Sequence, residues 1–259
     1  FLMFPLFNWD MIAVFFLLLS IYLFLLGRKT LSGVALGLGV AGKLIPILML
    51  PVYVLEEKTW KQRLSISAAC VITYASLNAP FMLLDFGKWF GTWTYHMAWG
   101  IEDSWLIHFF DQMDPNAHYV ALAVILYLVY KGLIETSKKT YESQPTRILQ
   151  RSFLMNVAWL FGSYVVTPQM ALFLLPFYVL IPTIPLPLIY LADILNAMII
   201  VLWFSEMEAG RSPLVSSSPV QIFATLRQLI WLAFFIYLLY PAQVRKWVGS
   251  LFQRIGEEK

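Results

Sequence analysis

Long apolar runs, separated by short polar stretches, dominate the pattern of hydrophobic and polar positions along the chain. The runs are Met11 to Leu26, Leu31 to Leu55, 64–84, 118–134, 152–166, 170–181, 187–204 and 221–240. A helix that crosses ~30 Å of hydrocarbon needs about 20 predominantly apolar residues, and the longer runs reach that length. Because the runs are continuous rather than alternating, they predict helices and exclude a β-barrel. The predicted fold is an all-α, polytopic transmembrane bundle that forms one domain over 1–259.

The second run, Leu31 to Leu55, contains a single charged residue, Lys43. A charged side chain at membrane depth costs at least ~2.5–3.5 kcal/mol on insertion scales. Such a residue therefore normally faces a partner, a cavity or an anionic ligand rather than lipid. The position of Lys43 indicates a buried site for a negatively charged group.

Basic residues concentrate in some of the polar stretches, and this distribution predicts the orientation of the chain. The cytoplasmic stretches are predicted to be loops 27–30, 56–63 and 131–151, followed by an amphipathic tail over 243–259. Two loops are predicted to be external. Loop 86–117 has an excess of acidic residues, and loop 205–220 is rich in Ser and Pro.

Both ends of the run from Leu31 to Leu55 carry cytoplasmic signals, which a single crossing cannot satisfy. We therefore expect a re-entrant or broken helical hairpin that turns around Lys43. Pro46 is compatible with the first turn of the returning half, and the small residues Gly33, Gly37 and Gly39 permit close helix approach. The alternative is a straight helix whose lysine reaches toward the interface.

Composition supports the same class of protein, since 60% of the residues are hydrophobic and only 13% are charged. This is the composition of an integral, multi-pass membrane protein. The single cysteine, Cys70, excludes an internal disulfide. No phosphate-binding Gly-rich loop, nucleophile elbow or zinc-protease motif is present, so neither a metal site nor a nucleic-acid partner is predicted.

Loop 86–117 combines many aromatic residues with carboxylates. One interpretation is an interfacial aromatic belt. The other is a sugar-binding shelf, in which aromatic faces stack on pyranose rings and carboxylates accept hydrogen bonds from hydroxyls. Glu102, Asp103 and the neighbouring Trp105 are the leading candidates for that shelf. Arg227, about two turns into the last run, is a second intramembrane cation that could share one phosphate with Lys43.

Several motifs follow one another in a familiar order. They are Asn8-Trp9-Asp10 at the start of a run, Leu31 to Pro46 with its glycines and Lys43, Tyr95-His96 followed by Glu102-Asp103-Ser104-Trp105, and Thr167-Pro168-Gln169-Met170 before Leu174-Leu175-Pro176. In this order and spacing the chain resembles the polyprenyl-phosphate-mannose-dependent mannosyltransferases of the GT-C superfamily. That group includes bacterial and archaeal polytopic α-mannosyltransferases and, more distantly, GPI mannosyltransferase I.

The resemblance implies a GT-C fold that transfers a sugar, here mannose, from a polyprenyl-phosphate donor to a lipid or glycan acceptor. The reaction would occur on the extracytoplasmic face of a bacterial or archaeal cell membrane or of the endoplasmic reticulum. It would use no nucleotide sugar, and dependence on a divalent metal varies among relatives. A small membrane subunit is a further partner to consider.

The resemblance also assigns residues. Lys43 matches the family's membrane lysine and would neutralise the donor phosphate. The residues implied to contact substrate are Asn8, Tyr95, His96, Trp105 and Gln169. Two departures weaken any transfer of substrate specificity: Met170 replaces the usual Tyr, and no arginine lies between His96 and Glu102.

The catalytic carboxylate of the family lies in the first external loop, and we expect that loop in an upstream part that precedes Phe1. Within the present sequence, Asp10, Glu102 and Asp103 are the outward-facing candidates for a general base. Two other functions stay open. A transporter or flippase of a lipid-linked anion would also use broken helices and intramembrane cations, and a non-catalytic subunit would need no base.

Overall fold

The computed structural model describes residues 9–244, 246 and 247, and this part of the chain is helical, with no β-strand. The α-helices are α1 (Asp10–Leu25), α2 (Lys29–Gly42), α3 (Met49–Glu56), α4 (Trp60–Leu84), α5 (Phe86–Met97), α6 (Asn116–Ser137), α7 (Gln144–Gly162), α8 (Leu175–Leu180), α9 (Leu186–Glu208) and α10 (Pro219–Leu239). Three 3₁₀ helices cover Ile45–Leu48, Trp105–His108 and Pro168–Phe173. Among these helices, α4, α6, α9 and α10 are long and apolar enough to cross a membrane. The all-α, polytopic architecture is therefore confirmed.

The predicted hairpin is present around Lys43. Helix α2 ends at Gly42, and Lys43 has an extended backbone with φ −161° and ψ 142°. Pro46 lies in the first turn of the following 3₁₀ helix, which leads into α3. The Nζ atom of Lys29 lies 2.6 Å from Oε1 of Glu57, so the beginning of α2 and the end of α3 are adjacent. The straight-helix alternative is therefore wrong.

The glycines of α2 allow close packing against α4, as expected from their size. A Cβ atom added at Gly37 would lie 2.6 Å from the carbonyl oxygen of Cys70. One added at Gly33 would lie even closer to the carbonyl oxygen of Ile66. The two helix backbones are therefore almost in contact, and any larger residue at either position would separate them.

Contacts sort the predicted loops into two groups at opposite ends of α10. At one end, Lys139 donates a hydrogen bond to the carbonyl oxygen of Leu238, and both lie in or beside segments predicted to be cytoplasmic. At the other end, His108 of the acidic loop lies 2.9 Å from the Thr225 hydroxyl. The structure thus separates the two predicted sets of loops, and which end faces the cytoplasm stays a prediction.

Ion pairs join helices at the end of the molecule where Lys139 contacts α10. Glu56, whose side chain is fully buried, accepts two hydrogen bonds from Arg147, at 2.8 Å and 2.6 Å. It also accepts one from Arg151 at 2.5 Å. These bonds join α3 to α7, so the returning half of the hairpin is fixed to the second half of the chain.

Several loops are shorter than the apolar runs suggest, because helices continue into polar residues that hydropathy alone does not assign to them. The stretch predicted as loop 131–151 is reduced to 138–143, and Ser143 caps α7 by accepting a hydrogen bond from the Thr146 amide. The stretch 205–220 is reduced to 209–218. The run 170–181 is broken into the 3₁₀ helix Pro168–Phe173 and α8. Most of the predicted amphipathic tail lies outside the described residues.

The main hydrophobic core lies where α1, α2 and α3 meet α7, α10 and the 3₁₀ helix Pro168–Phe173. At its centre, the Phe153 ring lies 6.2 Å from those of Phe177 and Phe234. This core fixes the Pro168–Phe173 segment against α1, whose first residue is Asp10.

Candidate functional site

The first feature of the site is an ion pair at the turn of the hairpin. Asp10 opens α1, Lys43 follows the last residue of α2, and Lys43 Nζ lies 2.7 Å from Asp10 Oδ2. The sequence indicated a buried site for a negatively charged group at Lys43, and the structure places the Asp10 carboxylate there. The two residues are 33 positions apart, so only the packing of α1 against α2 reveals that each charge compensates the other.

The two members of the pair differ in exposure. The Asp10 side chain is 5% exposed, whereas the Lys43 side chain is 23% exposed. An ammonium group carries three protons, and the Lys43 group makes one hydrogen bond among the described residues. Lys43 can therefore contact an anionic ligand while it remains bonded to Asp10. Trp9 and Leu44, both exposed, flank the pair.

Arg227, the second predicted phosphate ligand, has different surroundings. Its side chain is fully buried on α10 and lies over the Trp231 ring, with 4.7 Å between guanidinium carbon and ring centroid. It donates hydrogen bonds to Asn196 Oδ1 and the Val166 carbonyl oxygen, both at 2.6 Å, and to the Asp103 carbonyl oxygen at 3.3 Å. The expectation that Arg227 and Lys43 share a phosphate does not fit these contacts, because the guanidinium is fully buried and its two terminal nitrogens already bond to protein groups.

The position of Arg227 along α10 also shows how far its hydrogen-bond partners lie inside the helical bundle. At 1.5 Å per residue it is about 12 Å along α10 from Pro219, where that helix begins. Asn196, near the middle of α9, donates a further hydrogen bond to the Pro168 carbonyl oxygen at 3.1 Å. The segment 163–168, which lies at the end of the run 152–166, therefore enters the bundle. It is stabilised there by side chains that satisfy its backbone carbonyls.

Asp103 is buried at the junction of the acidic loop and α10. Its φ of 52° lies in the left-handed region, which Asp tolerates better than most residues. Oδ1 accepts a hydrogen bond of 3.4 Å from Gln221. Burial raises the pKa of Asp103 to about 7, although the nearby Arg227 charge lowers it. Only 1% of the surface of Asp103 is exposed, and its role as a general base stays a prediction.

Glu102, the neighbouring carboxylate, is partly exposed. Its Oε2 accepts a hydrogen bond of 2.9 Å from the Trp99 indole. Its backbone pairs with the 163–168 segment, donating to the Tyr164 carbonyl and accepting from the Val166 amide, both at 2.9 Å. Burial raises the pKa of Glu102, and the Trp99 hydrogen bond opposes that shift. Of the two adjacent acids, Glu102 is the more exposed to a ligand.

The other predicted substrate residues are spread over the same end of the molecule. Trp105 is partly exposed; its indole donates to the Phe161 carbonyl oxygen at 2.8 Å, and its ring stacks on Phe161. Tyr95 and His96 are exposed at the end of α5. Gln169 is partly exposed on the 3₁₀ helix that packs against α1. Asn8 lies outside the described residues.

Sequence reasoning missed three aromatic residues near Glu102: Trp99, His118 and Tyr164. The signal for Trp99 was present, because a Trp three positions before a Glu allows a side-chain hydrogen bond when the chain turns there. No such signal existed for the other two, which come from α6 and from the segment after α7. Within the described part of the chain, no cluster of His, Cys, Asp or Glu could hold a metal ion.

With this geometry established, comparison with known proteins assigns the chain. The sequence model of glycosyltransferase family 87 matches residues 6–139, just over half of the chain. The chain belongs to glycosyltransferase family 87. No curated protein and no solved structure matches it. Membership in the family identifies a membrane glycosyltransferase, and its apolar helices make it a multi-pass membrane protein. The matched part includes both residues of the hairpin ion pair, together with Glu102 and Asp103.

Proposed function

We propose that the chain transfers a sugar, with mannose as the first candidate, from a polyprenyl-phosphate donor to a lipid or glycan acceptor. In this proposal the reaction takes place on the extracytoplasmic side, and Lys43 binds the donor phosphate. The supporting observation is the partly exposed ammonium at the turn of a hairpin within the bundle. A cation held at that depth suits a phosphate that arrives on a lipid.

The chemistry assigns a role to each group. An acceptor hydroxyl oxygen forms a bond to the anomeric carbon, and the bond from that carbon to the phosphate oxygen breaks. The electron pair leaves with the polyprenyl phosphate, whose charge Lys43 stabilises. The hydroxyl proton passes to a carboxylate, and Asp10 is the carboxylate beside Lys43.

The test measures donor binding and sugar transfer separately. Lys43→Met keeps the aliphatic stem and removes the charge, and it should lower both donor affinity and turnover, the latter by about 10²–10³. Asp10→Asn should lower turnover by about 10²–10⁴ while donor affinity changes little, since a general base acts on the chemical step. The assay uses the whole protein in nanodiscs with a polyprenyl-phosphate analogue for binding and labelled polyprenyl-phosphate mannose for transfer.

Lys88 provides the matched control. It lies on the same end of the molecule, and its side chain is 88% exposed. Lys88→Met should leave donor affinity and turnover within about twofold of the parent protein, because an exposed ion pair contributes little. Unchanged donor affinity in Lys43→Met would refute the phosphate role. An equal loss in both lysine variants would show a nonspecific effect of net charge.

The side of the membrane requires its own experiment. After Cys70 is replaced by Ser, single cysteines at positions 138 and 215 occupy the loops 138–143 and 209–218 at opposite ends of the molecule. An impermeant maleimide added to intact cells should label position 215 and leave position 138 unmodified. The reverse pattern would place the hairpin ion pair in the other leaflet and refute an extracytoplasmic reaction.

A further inference from the structure

Five aromatic rings gather beside Glu102 at the end of the molecule that contains the acidic loop. With Glu102 they form the aromatic shelf, which consists of Tyr95, His96, Trp99, Glu102, His118 and Tyr164. The centroids of Tyr95 and Trp99 are 5.5 Å apart, and those of His118 and Tyr164 are 4.1 Å apart. Three separate parts of the chain contribute, namely the end of α5 with its following loop, the first turn of α6, and the segment after α7.

Hydrogen bonds to the protein fix the rings of the shelf. The Trp99 indole donates to Glu102, and His118 Nε2 lies 3.1 Å from the Trp99 carbonyl oxygen. The Tyr164 hydroxyl donates to the His96 carbonyl oxygen at 2.8 Å. His96 Nδ1 lies 2.7 Å from the Thr92 carbonyl oxygen. The polar groups thus hold the rings in one arrangement before any ligand arrives, which reduces the entropy lost on binding.

Other polar atoms of the shelf are unoccupied. Among the described residues, no hydrogen bond reaches Glu102 Oε1, His96 Nε2, His118 Nδ1 or the Tyr95 hydroxyl. Tyr95 is 64% exposed, and Glu102 and His118 are partly exposed. Given the tautomers implied by their other bonds, both histidines present an acceptor nitrogen, and Glu102 presents a carboxylate oxygen. The shelf therefore combines fixed aromatic rings with hydrogen-bonding atoms at their edges.

This combination of groups is complementary to a pyranose. A sugar ring has C–H faces that pack on aromatic rings and equatorial hydroxyls that donate to acceptor atoms around them. In an aromatic belt that contacts lipid headgroups, the indole N–H and phenol O–H groups would instead point toward the membrane interface. In the shelf, Trp99 and Tyr164 direct those groups to the protein. The geometry points to a binding site for a neutral pyranose, and we propose that this sugar belongs to the acceptor.

The location of the shelf agrees with that role, which rests on the proposed transfer to a glycan or glycolipid. Tyr164 and Gln169 belong to one short stretch of chain, which spans at most about 17 Å when fully extended. The 3₁₀ helix that contains Gln169 packs against α1, which begins at Asp10. A short glycan can therefore extend from the shelf toward the hairpin ion pair.

Saturation-transfer NMR on the whole protein in nanodiscs tests the site, with methyl α-hexopyranosides of mannose, glucose and galactose as probes. At least one glycoside should receive saturation at its ring protons. Glu102→Gln and His118→Ala should each weaken its binding by about tenfold, the loss expected for one strong hydrogen bond or ring contact. Trp99→Phe keeps a ring but removes the indole N–H, so it should weaken binding less than Trp99→Ala.

Tyr119→Ala and Phe109→Ala are the controls, since both residues are 73% exposed next to the shelf but not part of it. They should bind sugar as the parent protein does, and thermal unfolding should show that every variant is folded. Lys43→Met should also retain sugar binding, which separates this site from the donor site. Absence of saturation transfer for all three glycosides, or an equal loss in the controls, would overturn the proposal.

Discussion

Lys43 and Arg227 are both cations within apolar segments, yet their surroundings differ in almost every respect. Lys43 lies at a break in the helix, has one partner, Asp10, and keeps part of its surface exposed. Arg227 lies within α10, is fully buried and bonds to three segments of the chain. The same charge that can receive a ligand at one position serves at the other to hold the protein together.

The difference follows from the shapes of the two side chains. The planar guanidinium of Arg227 offers five donors in a rigid fork, which suits several carbonyl groups at once. The ammonium of Lys43 is a compact charge on a flexible stem, which can hold one carboxylate and accept another anion. An intramembrane cation therefore indicates a functional site only when its donors are not already used by the protein. The predictions below test this distinction by stability, from the largest expected effect to the smallest.

The largest effect is expected for Arg227→Met, which leaves carbonyl oxygens and Asn196 without their donor inside the protein. We expect a loss of about 3–5 kcal/mol in the free energy of unfolding, the range for a broken buried charged network. Arg227→Lys should recover little of it, because lysine lacks the fork. Thermal unfolding in detergent measures both variants. Lys88→Met removes an exposed ion pair with Asp85 and should lower the free energy of unfolding by less than about 1 kcal/mol.

Lys43→Met should lower the free energy of unfolding by less, about 1–3 kcal/mol, because it removes the ammonium that is bonded to the buried Asp10 carboxylate. Combining it with Asp10→Asn should restore most of that stability, since a neutral amide depends less than a carboxylate on a neighbouring positive charge. The double variant should nevertheless remain inactive in sugar transfer. Recovery of activity together with stability would show that the pair is only structural.

A pH dependence of stability should arise near Arg227, at the neighbouring Asp103. The pKa of Asp103 in the folded protein is about 7, raised from 3.8, so the folded state binds its proton more tightly than the unfolded state. Stability should therefore fall as the pH rises from about 4 to 7. The melting temperature should drop by a few degrees across this range, and Asp103→Asn should flatten the profile. Asp85→Asn, at an exposed site, should leave the slope unchanged.

Asn196→Ala should have the smallest effect, about 1 kcal/mol, because it removes one acceptor from Arg227 and one donor from the Pro168 carbonyl. Asn116→Ala, at an exposed helix start, is its control. A loss for Asn196→Ala as large as that for Arg227→Met would mean that the amide, and not the guanidinium, holds the 163–168 segment in the bundle.

Local features of the sequence were sufficient for the class of fold and for the hairpin. Continuous apolar runs determine helices in a membrane, because every backbone polar group must be satisfied within the segment. The glycines of α2 permit close helix approach because they are small, and Pro46 fits the first turn of a helix. Both properties belong to the residues themselves and can be recognised in the sequence. The same holds for Lys43, because a single charge within a long apolar run can be recognised from the sequence alone.

Only the tertiary structure decided which residues form the candidate sites. Asp10 pairs with Lys43, Arg227 bonds to the 163–168 segment, and the aromatic shelf joins residues from three parts of the chain. Each of these contacts joins residues far apart in sequence, so it depends on how the helices pack and not on local propensity. The acidic pair Glu102 and Asp103 shows this directly, since packing exposes the first and buries the second although they are adjacent in the chain.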